Sequence, residues 1–403
     1  MRVILLARAY NDLDCRLPLL HQFMGRPGVT VSILIIPTVS SSGLSVKHPL
    51  PERMGVPCEA AVIKLMSSSF GKLVTWASRL LEQSANPLLR SKVWRKVWAR
   101  IYRYLSKSQQ FRDDFLALTG HTVTIIDDIL ATPARSFIVP LVVSNQSVRL
   151  LCLSHGQNTY LNLWYDKPKK SALTHPRPYP LEIYAPSEND RRILAAQYPG
   201  AKVTTIGNTR FDSRWVLEYQ ERFIGKAEAL PVFCGTKIAF MMSKMEYGLE
   251  ADNVIRLINQ AATRSNTRIV LKPHTRGMSL EGCAWQLDDK IVVADTVSSS
   301  EIINWADIIF FTGSSIIFEA IVKEKKVLYL AALQRYQTVF DQLPSVSLFR
   351  EGDDLNAAID ILEREPYDWQ VMRRFLASNT HNGVRDGQVC AAFVDRIISE
   401  LEH

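Results

Sequence analysis

The chain has 403 residues and a formal net charge of +8 at neutral pH, and a chain of this length usually makes two domains. Hydrophobic residues make up 47% of it, enough for two cores, and no apolar stretch is long enough to cross a bilayer. The six cysteines are scattered, which argues against a zinc knot or a disulfide framework and favours a reducing cytoplasm, while the positive charge favours an anionic partner such as a nucleotide, an acidic lipid surface or a nucleic acid.

The first half of the chain alternates predicted strands with predicted helices. Residues 3–7 read as a core strand, and because no small-residue cleavage site follows it, we expect no signal peptide. A helix is predicted over residues 14–24, and a second helix follows Ser187, a helix-capping residue with acidic residues in the next turn. Further strands are predicted over residues 29–37, 121–129, 148–153, 181–185 and 203–206.

Residues 67–110 read as a long, largely helical insertion whose second half is strongly basic. Its basic and tryptophan side chains recur at helical spacing, and no acidic residue lies between Leu88 and Lys107. The residues that define this pattern are Lys92, Trp94, Lys96, Trp98, Arg100 and Arg103. Such a helix is typical of one that lies on an anionic membrane; the alternative is a surface helix whose tryptophans pack on their own domain. No nucleic-acid motif accompanies the charge, so we expect no nucleic-acid partner.

After Arg214 the alternating pattern starts again, which indicates a second domain. Strands are predicted over residues 237–242, 267–271, 291–294, 308–311 and 327–330, and helices over 251–264, 298–305, 316–323, 355–363 and 388–401. Two such runs predict an α/β chain of two doubly wound, Rossmann-like domains facing a central cleft. We place the N-terminal domain at residues 1–214, the C-terminal domain at 215–385 and a terminal helix at 386–403.

A small-residue loop of residues 312–315, here called the anion loop, separates a buried strand from a helix in the second domain. Free backbone N–H groups and the helix dipole favour an anion at such a loop. Gly313 permits close backbone approach, and Ser314 and Ser315 add hydroxyl donors. Glu319 lies one turn further on, where a carboxylate can accept bonds from sugar hydroxyls. The alternative for this loop is an ordinary strand-to-helix turn.

Four short motifs stand at predicted strand ends: Ser154-His155-Gly156, Gly207-Asn208-Thr209-Arg210-Phe211-Asp212, Lys272-Pro273-His274, and residues 312–315 with Glu319. In this order they resemble glycosyltransferases of the GT-B fold. The nearest are bacterial surface-polysaccharide enzymes, namely CDP-glycerol glycerophosphotransferases and capsule or lipopolysaccharide transferases that use CMP-activated acidic sugars such as Kdo. The second motif also resembles a stretch of non-hydrolysing UDP-N-acetylglucosamine 2-epimerases, which share the fold.

The resemblance implies a role for each motif. His155 would be the general base, since an imidazole titrates near working pH, with Asp127 or Asp128 as the alternative base or the group that orients it. The groups expected to oppose the leaving phosphate are Lys244, Lys272, His274, Gly313, Ser314 and Ser315. Glu319 would hold the ribose, and the residues Asn208, Arg210 and Asp212 would lie between the domains. Relatives of this fold work without metal, so we assign no metal and no cofactor.

The sequence therefore predicts an inverting, metal-independent glycosyltransferase that moves a sugar from a nucleotide-activated donor, CMP-activated by family resemblance, to a surface-glycan or lipid-linked acceptor. Two alternatives stay open. One is a UDP-HexNAc 2-epimerase-like enzyme, and the other is a non-catalytic membrane-bound scaffold with the same fold. We expect a cytoplasmic protein, peripheral on the inner face of the membrane if the basic helix binds lipid.

Overall fold

The computed structural model describes residues 1–7, 10–35, 51, 54–56, 58–60, 123–127, 138, 142–143, 145, 147–154, 156–162, 181–224, 230–244, 247–274 and 286–402. Within these residues the chain forms two α/β domains, each built on one parallel sheet. His155, Asp128 and the predicted basic insertion of residues 67–110 lie outside the described residues.

The N-terminal domain is a doubly wound sheet. Its described elements are β1 (Arg2–Ala7), α1 (Tyr10–Met24), β2 (Thr30–Ile35), β3 (Cys58–Ala60), β4 (Val123–Asp127), β5 (Val148–Leu153), β6 (Glu182–Ala185), α2 (Glu188–Gln197), β7 (Lys202–Thr205) and α3 (Ser213–Phe223). The described strands are parallel and lie in the order β3-β2-β1-β4-β5-β6-β7. The chain changes direction across the sheet between β1 and β4, so their carboxyl ends form a topological switch point, where such folds bind ligands.

The C-terminal domain repeats this plan. Its described elements are β8 (Thr236–Met241), α4 (Ala251–Ala262), β9 (Thr267–Lys272), β10 (Ile291–Val293), α5 (Ser299–Trp305), β11 (Ile308–Phe311), α6 (Ile317–Val322), β12 (Lys326–Leu330), β13 (Leu348–Phe349), α7 (Leu355–Arg364) and α8 (Trp369–Thr380). The described strand order is β10-β9-β8-β11-β12-β13, so the switch point lies between β8 and β11. A last helix, α9 (Val389–Glu402), returns to the N-terminal domain and packs Phe393 and Ile397 into its core.

Local sequence explains the elements that were predicted well. Strands β5 and β11 have the predicted bounds, and all four residues of β11 are buried because helices cover both faces of a parallel sheet. Helix α5 begins at a capping box in which the Ser298 side chain accepts the Glu301 N–H and the Glu301 carboxylate accepts the Ser298 N–H. The two-domain α/β architecture is confirmed.

Two helices were not predicted from the sequence. Helix α3 spans residue 215, where the second domain was expected to begin, yet its Trp215 packs into the N-terminal core, with Tyr219 and Phe223 against it. Helix α8 places Met372 and Phe375 in the C-terminal core. The first strand of the C-terminal sheet begins at Thr236, and Leu230, which precedes it, packs in the C-terminal core.

The loop after β7 joins the N-terminal sheet to the segment by which the chain returns from the second domain. The Asn208 N–H donates to the carbonyl of Thr380, at the end of α8, over 2.6 Å. The buried Asp212 carboxylate accepts the backbone N–H of Cys390 at 3.0 Å and that of Arg214 at 3.1 Å. The segment by which the chain returns is therefore hydrogen-bonded to the loop after β7.

Residues 157–161, here called the strap, leave the N-terminal domain after β5. Helix α2 holds the start of the strap, because the Asp190 carboxylate accepts the Asn158 N–H at 2.9 Å and the Ser187 hydroxyl at 2.6 Å. The Asn189 side chain donates to the Asn158 and Tyr160 carbonyls, each at 3.2 Å. Burial of Asp190 raises the pKa of its carboxyl from 3.8 to about 7.

None of the helices in the described part of the chain combines the length and the apolar composition needed to span a bilayer.

The loop after β7 leads to a first prediction, since Gly207 has φ +88° and no room for a side chain. A Cβ there would lie 2.8 Å from Val389 Cγ1 and 2.9 Å from the Thr380 carbonyl oxygen. We expect Gly207→Ala to lower the free energy of unfolding, measured in urea, by the left-handed backbone cost of about 1–2 kcal/mol plus an overpacking cost of about 1–3 kcal/mol.

The matched control is Gly200→Ala, because Gly200 also has φ +88° but a Cβ there would meet nothing within 4 Å. This variant carries the backbone cost alone. Equal destabilisation by the two substitutions would contradict the close packing described for Gly207.

A second prediction concerns pH, because Asp190 has a folded pKa above its unfolded value. The folded chain then binds a proton that the unfolded chain releases near pH 3.9, so the stabilisation is present at low pH and is lost as pH rises from about 4 through about 7. Asp190→Asn mimics the protonated form and removes this dependence. We expect wild type to lose stability relative to Asp190→Asn between pH 5 and pH 8 in urea unfolding.

The control for this substitution is Asp353→Asn, which removes an exposed carboxylate that also accepts a backbone N–H, from Arg350 at 2.6 Å. A constant difference between wild type and Asp190→Asn across the pH range would show that Asp190 does not titrate there.

Candidate active site

A cleft lies between the two domains, at the carboxyl ends of β5, β6 and β7. Its open volume is about 400 Å³, part of it continuous with solvent. The described residues that line it are Cys15, Leu153, Ser154, Gly156, Gln157, Tyr184, Pro186, Ile206, Gly207, Asn208, Thr209, Arg210, Phe211 and Ser315. The N-terminal domain supplies all of them except Ser315, which comes from the predicted anion loop, so the cleft joins two of the predicted motifs with that loop.

The strand-end motif after β5 forms one wall of the cleft. The Ser154 hydroxyl donates to the Gly156 carbonyl at 3.1 Å. His155 itself is outside the described residues, but both its neighbours line the cleft. Of the motif, the structure therefore places Ser154 and Gly156 at the cleft.

Asp127 ends β4, between the strands β1 and β5, and is buried. The fully buried Arg16 reaches across the same region, donating to the Leu6 carbonyl on β1 at 3.4 Å and to the Leu153 carbonyl on β5 at 2.9 Å. Sequence reasoning missed Arg16, although a basic residue within the apolar face of a helix was the available signal. The guanidinium ties α1 to the strand ends that bear the predicted catalytic residues.

The wall formed by the loop after β7 is polar and already hydrogen-bonded. The Asn208 side chain donates to the side-chain amide oxygen of Gln157 at 2.8 Å, and the Gln157 side chain donates to the Asn379 backbone carbonyl at 2.8 Å. The Arg210 guanidinium pairs with Asp14 at 2.7 Å. This wall thus presents amide groups and a paired cation to the cleft.

Asp14, on α1, is a candidate that sequence reasoning did not find. Its burial raises the pKa of the carboxyl, an effect that Arg210 opposes and that the nearby charge of Glu319 reinforces. A carboxyl with a raised pKa beside a cleft is a frequent property of catalytic acids and bases. Its only sequence signal was an acidic residue at the start of a helix, which also fits an ordinary helix terminus.

The anion loop lies at the switch point of the C-terminal sheet. Ser243, after β8, bonds across to the end of β11, its hydroxyl donating to the Thr312 carbonyl at 2.6 Å. Gly313 has φ +96°, a conformation that favours glycine, and Ser314 and Ser315 are half-buried. Helix α6, which follows, has only six residues. At this loop the backbone N–H groups would therefore attract an anion more strongly than the helix dipole would.

The predicted phosphate-binding cations lie at neighbouring strand ends but do not line the cleft. Lys272 is buried at the end of β9, with Nζ donating to the carbonyls of Ala294 at 3.2 Å and Asp295 at 2.8 Å. Lys244 Nζ lies 5.4 Å from the ring centroid of Tyr247, and His274 is partly buried. Lys272 therefore has a structural function in joining β9 to the loop after β10.

Glu319 does not lie on a solvated helix face. It is only 4% exposed, and Lys323 Nζ donates to its Oε1 at 2.7 Å. Lys323 uses one carboxylate oxygen, and an ionised carboxylate offers further lone pairs. Its charge also acts on Asp14 of the N-terminal domain, so Glu319 lies near the domain interface.

Comparison with known proteins gives the fold. No protein-family model matches this sequence, and no curated protein sequence matches it. Similar solved structures include the UDP-GlcNAc 2-epimerase from Neisseria meningitidis bound to UDP-GlcNAc, with a TM-score of 0.61 and 14% identity over 99% of this chain and 100% of that one. The UDP-GlcNAc 2-epimerase from Methanocaldococcus jannaschii in complex with UDP-GlcNAc and UDP has a TM-score of 0.54 and 12% identity over 99% and 100%.

A glycosyltransferase from Rickettsia africae ESF-5 is also similar, with a TM-score of 0.53 and 12% identity over 99% of this chain and 98% of that one. Identities this low show the fold and not the activity. The chain therefore has the GT-B fold, two Rossmann-like domains that face each other across a cleft.

Proposed function

We propose that this chain is a nucleotide-sugar-dependent glycosyltransferase that transfers a sugar to an acceptor hydroxyl in the cleft between its domains. The observation that carries the proposal is the cleft itself, where strand-end residues of the N-terminal domain, Ser154 and Gly156, meet Ser315 of the anion loop. An acceptor on one side and an activated donor on the other would then share one site, which is the arrangement that group transfer requires.

The proposed mechanism assigns the first proton transfer to the N-terminal wall. His155 would take the proton from the acceptor hydroxyl, and Asp127 or Asp128 would orient it or replace it. Asp14 is a further candidate, because its raised pKa and its pairing with Arg210 place a proton-binding carboxyl beside the cleft.

The C-terminal wall would stabilise the departing nucleotide phosphate. Backbone N–H groups at Gly313, Ser314 and Ser315 would donate to phosphate oxygens, and Lys244 and His274 would supply positive charge. Lys272 would act through its charge, since its ammonium group donates to two carbonyls. Glu319, oriented by Lys323, would accept bonds from the ribose hydroxyls.

The donor and the acceptor are proposed from different grounds. The sequence resemblance favours a CMP-activated acidic sugar and an acceptor of the capsule or lipopolysaccharide type, as in Kdo-type transferases and glycerophosphotransferases. Two similar structures contain UDP-GlcNAc, which makes UDP-sugars the second donor class. If the acceptor is lipid-linked, the basic tryptophan segment of residues 67–110 would place the enzyme at an anionic membrane surface.

A sugar-nucleotide 2-epimerase is the second candidate, favoured by the higher TM-score of the Neisseria epimerase than of the Rickettsia glycosyltransferase. Such an enzyme requires carboxylate bases in the cleft. The described lining contains no carboxylate, but Asp14 pairs with Arg210, which lines the cleft. Both enzymes need a proton acceptor, and incubation with a nucleotide sugar in the absence of acceptor separates them.

The third prediction tests the proposal directly. Calorimetry with CMP, CDP and UDP should show binding at millimolar concentration or below, because backbone N–H groups of a small-residue loop at the end of a strand favour a phosphate. Incubation of the chain with UDP-GlcNAc or a CMP-sugar, without acceptor and followed by NMR, should leave the sugar configuration unchanged. A new epimer would establish the epimerase, and an absence of nucleotide binding would remove both enzymes.

The fourth prediction concerns Lys244. We expect Lys244→Ala to raise the Kd of a nucleoside diphosphate about tenfold, the loss expected for one hydrogen bond to a charged group, with little effect on the Kd of the nucleoside and on Tm. Lys202→Ala is the control, because Lys202 lies at the amino end of β7 and pairs with Glu182 at 2.9 Å. An unchanged diphosphate Kd in Lys244→Ala would exclude this lysine from the phosphate site.

A further inference from the structure

The strap connects the N-terminal domain to the loops of the C-terminal sheet. Thr159 and Leu161 bond to the loop after β12, with the Val339 N–H donating to the Thr159 carbonyl at 2.8 Å and the Leu161 N–H donating to the Gln337 carbonyl at 2.9 Å. Between them, Tyr160 forms an antiparallel bridge with Thr338. The Thr159 hydroxyl also donates to the Gly313 carbonyl at 2.7 Å. A segment of one domain is thus hydrogen-bonded to the anion loop of the other.

The side chain of Tyr160 covers Gly313. Its hydroxyl lies 3.0 Å, and its Cζ 3.3 Å, from the position that a Cβ on Gly313 would take. The ring packs against Tyr247 and Tyr336, with centroids 5.1 Å and 6.4 Å away, and the residue is only 3% exposed. Tyr160 therefore fills the space over Gly313, where the lack of a side chain would permit a ligand to approach the backbone closely.

This space is the topological switch point of the C-terminal sheet, between the carboxyl ends of β8 and β11. Ligands of doubly wound sheets bind at such points, and the proposed function puts the donor phosphate there. A buried aromatic ring and a phosphate group cannot occupy the same volume. The strap is held by the Asp190 carboxylate and the Asn189 side chain at one end and by the C-terminal loops at the other.

We propose that the strap is an autoinhibitory contact, in which Tyr160 closes the nucleotide position over Gly313 and must leave it before a donor nucleotide binds. The inference rests on the proposed function, since it supposes a nucleotide at this loop. Closure reduces the apparent affinity by the fraction of molecules in which the strap is open. Weakening the strap therefore tightens nucleotide binding without any change in the loop that binds it.

The test compares UDP and CMP binding by calorimetry in wild type, Thr159→Val and Tyr160→Ala. Thr159→Val removes the bond to the Gly313 carbonyl at nearly constant volume and should lower Kd about fivefold, the effect of one hydrogen bond. Tyr160→Ala removes the ring and should lower Kd more than tenfold. Thr263→Val is the control, because the Thr263 hydroxyl donates to the Gln260 carbonyl over the same 2.7 Å on the outer end of α4; its Kd should equal that of wild type.

A second measurement on wild type avoids dependence on the folding of Tyr160→Ala. Saturating nucleotide should accelerate hydrogen exchange at the Leu161 and Val339 amides, since both bonds join the strap to the C-terminal loop. Slower or unchanged exchange at these amides overturns the autoinhibitory contact, and so does a Kd that rises or stays constant in Thr159→Val and Tyr160→Ala. In either case, nucleotide binding by wild type leaves the proposed function standing. If neither wild type nor any variant binds UDP or CMP, the proposed function fails and the autoinhibitory contact with it.

Discussion

The structure depends on the contact between the loop after β7 and the segment between α8 and α9. There the chain approaches itself so closely that only glycine fits at position 207, and the Asp212 carboxylate caps the return of the chain to the N-terminal domain. These contacts hold the returning segment of the chain against the loop after β7. The cleft lies beside them, since its lining includes Gly207, Asn208 and Arg210.

The charged residues near the cleft are held in place before any ligand arrives. Arg210 pairs with Asp14, Glu319 pairs with Lys323, and the Lys272 ammonium group is bonded to backbone carbonyls. Such pairs have little freedom to rearrange, so their fields point in fixed directions at the domain interface. This is the physical condition under which protein electrostatics stabilise developing charge, because no reorganisation is needed during the reaction.

The two domains present their strand ends differently. In the N-terminal domain the ends of β5, β6 and β7 open into the cleft, whereas in the C-terminal domain the space over Gly313 is covered by Tyr160 of the strap. In the proposed autoinhibition, the strap would link nucleotide binding to the contact between the domains through the hydrogen bonds of Thr159 and Leu161.

The sequence by itself determined the α/β class, the two-domain plan and nearly all described strands, because buried parallel strands are short apolar runs such as residues 308–311 and helix caps such as Ser298 have local signatures. It also identified the motifs that surround the cleft, since these stand at strand ends. Only the tertiary structure decided that Lys272 and Glu319 are internally paired, that Arg16 and Asp14 lie beside the site, and that Tyr160 covers Gly313. These facts depend on contacts between residues far apart in the chain, and no local pattern encodes which distant side chain will fill a given space.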